Sequence, residues 1–191
     1  TAMQSRLVHL EMEVSFEEWL EDVAILENYD SRIIAYLSQY PSKLMDFRPD
    51  HQEKTFCCPR TWEFVNKLIK GKDINDSYAS LLSGAITSGI AVEFVQFTRI
   101  FKTLISIDTI VADPFGCNIS QDNSTKFAII SHLMEKVDVK NFDPVCTYIN
   151  RFDIPFRILF FRALLIRKSD MRQHPSFIKS MAEMSKYLYG A

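Results

Sequence analysis

Val14-Ser15-Phe16-Glu17-Glu18-Trp19-Leu20-Glu21-Asp22-Val23 sets the pattern for the whole chain. Ser15 and Glu18 stand at Ser-x-x-Glu spacing, in which the hydroxyl accepts an N–H of the first turn and the carboxylate reaches back to the cap. Val14 before the cap and Trp19 four residues after it are spaced for a hydrophobic staple. Phe16, Trp19, Leu20 and Val23 then recur at helical steps, so one face is apolar. Asn28 and Asp30 punctuate the end.

Working outward, the same periodicity predicts a helix over Ser31–Tyr40, stopped by Pro41, and a short turn over Ser42–Phe47. A polar connector, residues 48–58, leads to a helix over Pro59–Lys70 that Gly71 closes. Helices are expected over Asp76–Thr87, with a break at Ser88-Gly89, and over the strongly apolar Ile90–Leu104. A short helix should reach Ala112, followed by an Asp113-Pro114-Phe115-Gly116 turn and a polar loop over 116–124. Four more are expected at about 124–137, 140–151, 153–168 and 175–189. The reading is an all-α, multi-helix bundle followed by a helical extension, with no fixed-period repeat.

One segment departs from it. Over Leu7–Val14, Val8, Leu10, Met12 and Val14 alternate with Leu7, His9, Glu11 and Glu13, the period of a strand. A lone strand cannot satisfy its backbone groups, so its partners are expected outside this sequence.

Composition narrows the function classes. Of 191 residues 47% are hydrophobic, enough for a sizeable core. No apolar run approaches the roughly 18 residues of a membrane span, so no membrane partner is expected. Net charge is −2, which points to neither nucleic acid nor an anionic surface. Its distribution is uneven: residues 1–147 hold 14 Lys and Arg against 21 Asp and Glu, and residues 148–191 hold 8 against 3. The basic end can face an acidic partner, nucleic acid, or the acidic front of the same molecule. Cys57, Cys58, Cys117 and Cys146 form no Cys-x-x-Cys pair, and His9, His51, His132 and His174 are scattered, so no metal site is expected. Reduced thiols in a cytoplasmic protein are the default.

Catalytic motifs are missing. Gly84-Ala85-Ile86-Thr87-Ser88-Gly89 has the glycine spacing of a phosphate-binding loop, but Ile90 and Ala91 follow where Lys and Ser or Thr are required. No Gly-x-Ser-x-Gly and no His-Glu-x-x-His occurs.

One constellation carries information. In Cys58-Pro59-Arg60-Thr61-Trp62-Glu63-Phe64-Val65, Pro59 takes the first helical position and puts Arg60 in the first turn. A cation there opposes the helix dipole at about 0.3–1 kcal/mol. Two arrangements offset that cost: an ion pair with Glu63 or Glu53, or an anion held jointly by Arg60 and the helix N–H groups. About fifty residues earlier, Gln4-Ser5-Arg6 precedes the strand.

Together these segments resemble the junction of core and lid in the MoxR-like group of AAA+ ATPases. Ser5-Arg6 with RLVHLEME (6–13) and SFEEWL (15–20) is similar to the last core strand and first lid helix. PRTWEFV (59–65) resembles the sensor-2 helix, LLSGAITSGIAVEFVQF (81–97) the closing lid helices, and DTIVADP (108–114) the segment after them. The resemblance spans residues 1–114. It implies that 1–14 is the last strand of an absent ATPase core, 15–114 the helical lid and 115–191 a helical C-terminal extension. It implies that Arg6 is the catalytic finger reaching a neighbouring subunit's nucleotide, and that Arg60, flanked by Pro59 and Thr61, meets the phosphates of its own subunit's. It further implies ATP and Mg in the full-length protein, none bound to this chain alone, a homo-oligomeric ring, and an unknown protein substrate. No Walker A or B element is present, so the chain by itself is not expected to be catalytic. The competing reading is a non-catalytic helical protein-interaction module docking through its basic end, Arg151, Arg157, Arg162, Arg167, Lys168 and Arg172.

Overall fold

The computed structural model describes residue 8 and residues 13–50 and 52–188. Most of the expected strand, residues 7 and 9–12, lies outside them, as does Arg6. Among the described residues the fold is all-α and contains no strand.

The helices are α1 (Phe16–Trp19, continuing as a π-helical segment Leu20–Ile25), α2 (Ser31–Gln39), α3 (Pro59–Ile69), α4 (Tyr78–Leu82), α5 (Ser88–Thr98), α6 (Ile107–Ala112), α7 (Asn123–Lys136), α8 (Phe142–Ile149), α9 (Ile154–Arg167) and α10 (Pro175–Leu188). Short 3₁₀ segments lie at Pro41–Lys43, Arg99–Thr103 and Ser169–Gln173. The Ser15 half of the expected capping box is present: Ser15 Oγ accepts the N–H of Glu18 at 3.3 Å. Val14 remains 45% exposed beside it.

Three boundaries differ from the periodicity. The expected helix over Asp76–Thr87 is α-helical only over Tyr78–Leu82, because Ser83–Ala85 turns tightly, with the Gly84 N–H on Leu81 O at 3.2 Å. Ser88-Gly89 is not a break but the first turn of α5, since the Glu53 carboxylate accepts the Ser88 N–H at 2.8 Å and caps that end from a distant loop. The expected Ile90–Leu104 helix tightens to 3₁₀ from Arg99 onward.

Tyr36 on α2 sits at the centre of the first half. Its ring lies 5.2–5.8 Å from those of Tyr40, Trp62, Phe94 and Phe97, which joins α2, α3 and α5. Such aromatic pairs contribute about 0.5–1.5 kcal/mol each beyond their buried area. Burial, with help from Glu93, pushes the Tyr36 phenol far above its ordinary value. The indole N–H of Trp62 donates to Lys43 O at 2.9 Å, so the largest buried ring also pins the Pro41–Lys43 turn.

The expected domain division falls in the Asp113–Gly116 turn, and one apolar core runs on through it. Helix α2 lies along α7, α7 packs on α9, and α9 returns to the π-helical segment of α1. Thus Ile33, Ile34 and Leu37 share a core with Ile130, Leu133 and Met134.

Candidate functional site: the start of helix α3

Cys58 is extended, with φ −154° and ψ 168°, and Pro59 turns the chain into the helix. Thr61 fixes this corner. Its Oγ1 accepts the Cys58 N–H at 2.9 Å and lies 3.2 Å from Phe56 O and 3.0 Å from Cys58 O. The hydroxyl is therefore committed to the connector, and Thr61 shapes the helix start rather than presenting a ligand group. The connector is pinned in turn by Asp46 N–H to Cys57 O at 3.0 Å and by Thr55 Oγ1 to Ala85 O at 2.8 Å.

The inward stripe of α3 is Trp62, Val65, Asn66 and Ile69. Arg60 lies off that stripe and is exposed, with neither an ion pair nor a hydrogen bond among the described residues. Both carboxylates within sequence reach are engaged elsewhere. Glu63 pairs with Lys67 one turn on, and Glu53 caps α5. The first backbone hydrogen bond of α3 runs from Trp62 N–H to Cys58 O at 3.0 Å. The Thr61 N–H is taken by Cys58 Sγ, the reciprocal half of a capping box with the Thr61 hydroxyl, and the Arg60 N–H has no acceptor within the helix backbone. The exposed Arg60 guanidinium thus stands beside a half-buried helix end, with no carboxylate balancing it among the described residues.

The far end of α3 is held firmly. Arg32, paired with Asp30 at 2.7 Å, donates to Ile69 O at 3.0 Å and to Lys72 O at 2.9 Å. Asn66 Oδ1 accepts the Asp30 N–H at 2.9 Å, and Lys70 Nζ donates to Asn28 O at 2.7 Å. Gly71 takes φ +72°, the left-handed exit that favours glycine. The helix is thus a rod bolted to α2 at one end and carrying Arg60 at the other.

The basic end is used internally. Arg151 donates to Pro114 O and Cys117 O at 2.7 and 2.8 Å, and Arg157 pairs with Glu183 at 3.5 Å. Arg162 pairs with Glu21 at 2.5 Å. Arg167 reaches the carbonyls of Ala24, Ile25 and Tyr29, Lys168 those of Glu135 and Val137, and Arg172 that of Leu165. These internal partners could not be read from sequence, because they lie up to 143 residues away.

No group of three or more His, Cys, Asp or Glu among the described residues could hold a metal ion. Burial raises the Cys146 thiol above its ordinary value and pushes that of Cys57 to about 11, so neither is an activated nucleophile. The glycine-spaced Gly84–Gly89 stretch runs from the turn after α4 into the first turn of α5. Among the described residues no helix is long and apolar enough to cross a membrane. No family model, curated protein or solved structure matches the chain.

Proposed function

We propose that residues 15–114 are the helical lid of a MoxR-like AAA+ ATPase, with 115–191 a helical C-terminal extension, and that Arg60 meets the phosphates of a nucleotide held by the core. The observation that carries the reading is the unbalanced charge at the start of α3. Arg60 pays the dipole cost of its position and has no carboxylate to offset it, which fits a site where an anion arrives from outside the lid. ATP with Mg supplies the transferable phosphoryl group in such enzymes, and the protein contributes positioning and charge neutralisation. Arg60 would supply the positive charge. Pro59 and Thr61 would hold the angle at which it is presented. The rod-like attachment of α3 to α2 would pass movement of Arg60 into the body of the lid, and the packing of α2 on α7 would pass it on to the extension. Arg6, by resemblance alone, would act across a subunit boundary in a homo-oligomeric ring that remodels a partner protein.

The reading is tested on the protein extended upstream of Thr1 to include the core. Arg60→Ala should lower ATP turnover by about 10²-fold or more, the scale of losing one preorganised charge contact. Folding should be unaffected, because the side chain is exposed and unpaired. Full turnover in Arg60→Ala would refute the assignment, as would an upstream reading frame without a Gly-x-x-x-x-Gly-Lys-Ser/Thr loop.

A further inference from the structure

Helices α8 and α10 lie side by side with their starts together, and the faces they turn to each other are polar. On α8 the face is Asp143, Cys146, Thr147 and Asn150. On α10 it is Ser176, Lys179, Ser180 and Glu183. Both sets fall at i, i+3, i+4 and i+7, the spacing that packed helices ordinarily fill with apolar side chains. Here they line an open cleft of about 400 Å³, within the size range of small-molecule sites. The hold on α10 comes from other positions. Phe177 and Met184 are buried, and the Phe177 ring lies 5.8 Å from that of Phe161 and 6.3 Å from that of Phe142. The cleft has a fixed floor. Cys146 and Ser180 are buried with Sγ and Oγ 3.3 Å apart, and Asn150 Nδ2 donates to them at 3.5 and 3.2 Å.

The charges on the walls indicate the ligand. Asp143 Oδ1 accepts the Ser176 hydroxyl and lies 3.8 Å from His174 Nδ1, while Asp143 Oδ2 has no partner among the described residues. Glu183 is paired with Arg157 at 3.5 Å, so its charge is already met. Lys179 is exposed, and its ammonium has neither an ion pair nor a hydrogen bond among the described residues. The cleft therefore keeps one carboxylate oxygen and one ammonium uncommitted. A simple anion would meet Asp143 as well as Lys179, and a simple amine would meet Lys179 as well as Asp143. A molecule that carries both charges satisfies both walls. We propose that the α8–α10 cleft binds a small zwitterion of the amino-acid class, its carboxylate on Lys179, its ammonium on Asp143 Oδ2 and its remainder over the Cys146–Ser180–Asn150 floor. The site uses neither Arg60 nor Arg6, so it stands or falls apart from the nucleotide reading.

The test titrates the 191-residue chain with the common free L-amino acids, following backbone amide shifts by nuclear magnetic resonance. At least one should bind saturably with a Kd of about 1 mM or tighter, moving the amides of residues 143–150 and 176–183 before others. Lys179→Met should weaken that amino acid about tenfold, and should weaken its carboxamide derivative, which lacks the carboxylate charge, by less than about twofold. Asp143→Asn keeps an oxygen for the Ser176 hydroxyl, removes the charge, and should also weaken the amino acid about tenfold. The helical signal should be unchanged in both variants, since both side chains are exposed. The proposal is overturned if no amino acid binds, if the shifts lie away from the cleft, or if Lys179→Met leaves Kd unchanged. Equal binding of the carboxamide or of inorganic phosphate by the wild-type protein would make this a site for one charge and would overturn it as well.

Discussion

Replacing Arg167 by Met probes how the two halves of the chain are joined. The guanidinium projects from the last turn of α9 into the carbonyl end of α1, with Nε 2.7 Å from Ile25 O and Nη2 3.1 Å from Ala24 O and 3.3 Å from Tyr29 O. Burial lowers its pKa, only partly opposed by Glu135, yet no carboxylate accepts from it among the described residues. The negative end of the helix dipole is its counter-charge. Methionine keeps most of the stem volume and removes every donor. Ala24 O and Ile25 O each keep a backbone partner, Tyr29 N–H at 2.8 Å and Asn28 N–H at 3.1 Å. Tyr29 O is left without one among the described residues.

Hydrogen bonds from a charged donor contribute about 1.5–3 kcal/mol each. The shortest of the three should count fully, the longer two less, and relief of the guanidinium's desolvation offsets part. The net loss should be about 2–4 kcal/mol, or roughly 4–16 °C in Tm for a chain of this size. The assay is thermal and urea unfolding followed by circular dichroism at 222 nm, with Arg167→Lys alongside. A lysine reaches at most part of the carbonyl cluster, so it should fall between wild type and Met. If Met melts within about 1 °C of wild type, Arg167 is not a joint. If Lys and wild type coincide while Met falls, charge alone matters and the fork geometry does not.

Asn66→Leu should cost about 1–3 kcal/mol, because the Asp30 N–H loses its 2.9 Å acceptor, and urea titration would show it as a lower midpoint. Asp122 caps α7, and hydrogen bonds from the Thr125 hydroxyl and N–H hold its pKa below the ordinary value. A depressed folded-state pKa means that its contribution is complete above the unfolded value and is lost as pH falls through the folded one. Asp122→Ala should therefore cost about 1 kcal/mol at pH 7, and the difference from wild type should vanish in strong acid. Among the four thiols only Cys58 is partly exposed, so Ellman's reagent should label one cysteine quickly in the native state and the other three only on unfolding. A Cβ on residue 116 would meet the Asp113 carboxylate, so Gly116→Ala should open the Asp113 turn, seen as faster amide exchange at residues 115–118 with little change in global Tm.

What could be read in advance was local. The Ser15 cap, the Pro59 start and the Gly71 exit depend on neighbours within a few residues, and each occurs where the spacing put it. The start of α5 failed because its cap arrives from Glu53, 35 residues away. The same distinction governs the cations. Arg157, Arg162 and Arg167 are spaced by five on α9, and at about 100° per residue each is turned some 140° from the last. They cannot form one docking stripe. They fan around the helix, and each meets a different neighbour: Glu183 on α10, Glu21 on the π-helical segment, and the carbonyls at the end of that segment. A basic C-terminal sequence thus becomes an internal fastening. Arg60 follows the opposite course. Sequence shows a cation at an adverse helix end, and helical spacing alone offers Glu63 as its partner. Helical spacing also offers Glu63 to Lys67, which takes it, and only the tertiary structure shows Glu53 on α5, so Arg60 has no ion pair among the described residues. Among them it has no side-chain hydrogen bond either, whereas Arg32 and Arg167, also at helix ends, are spent on the fold.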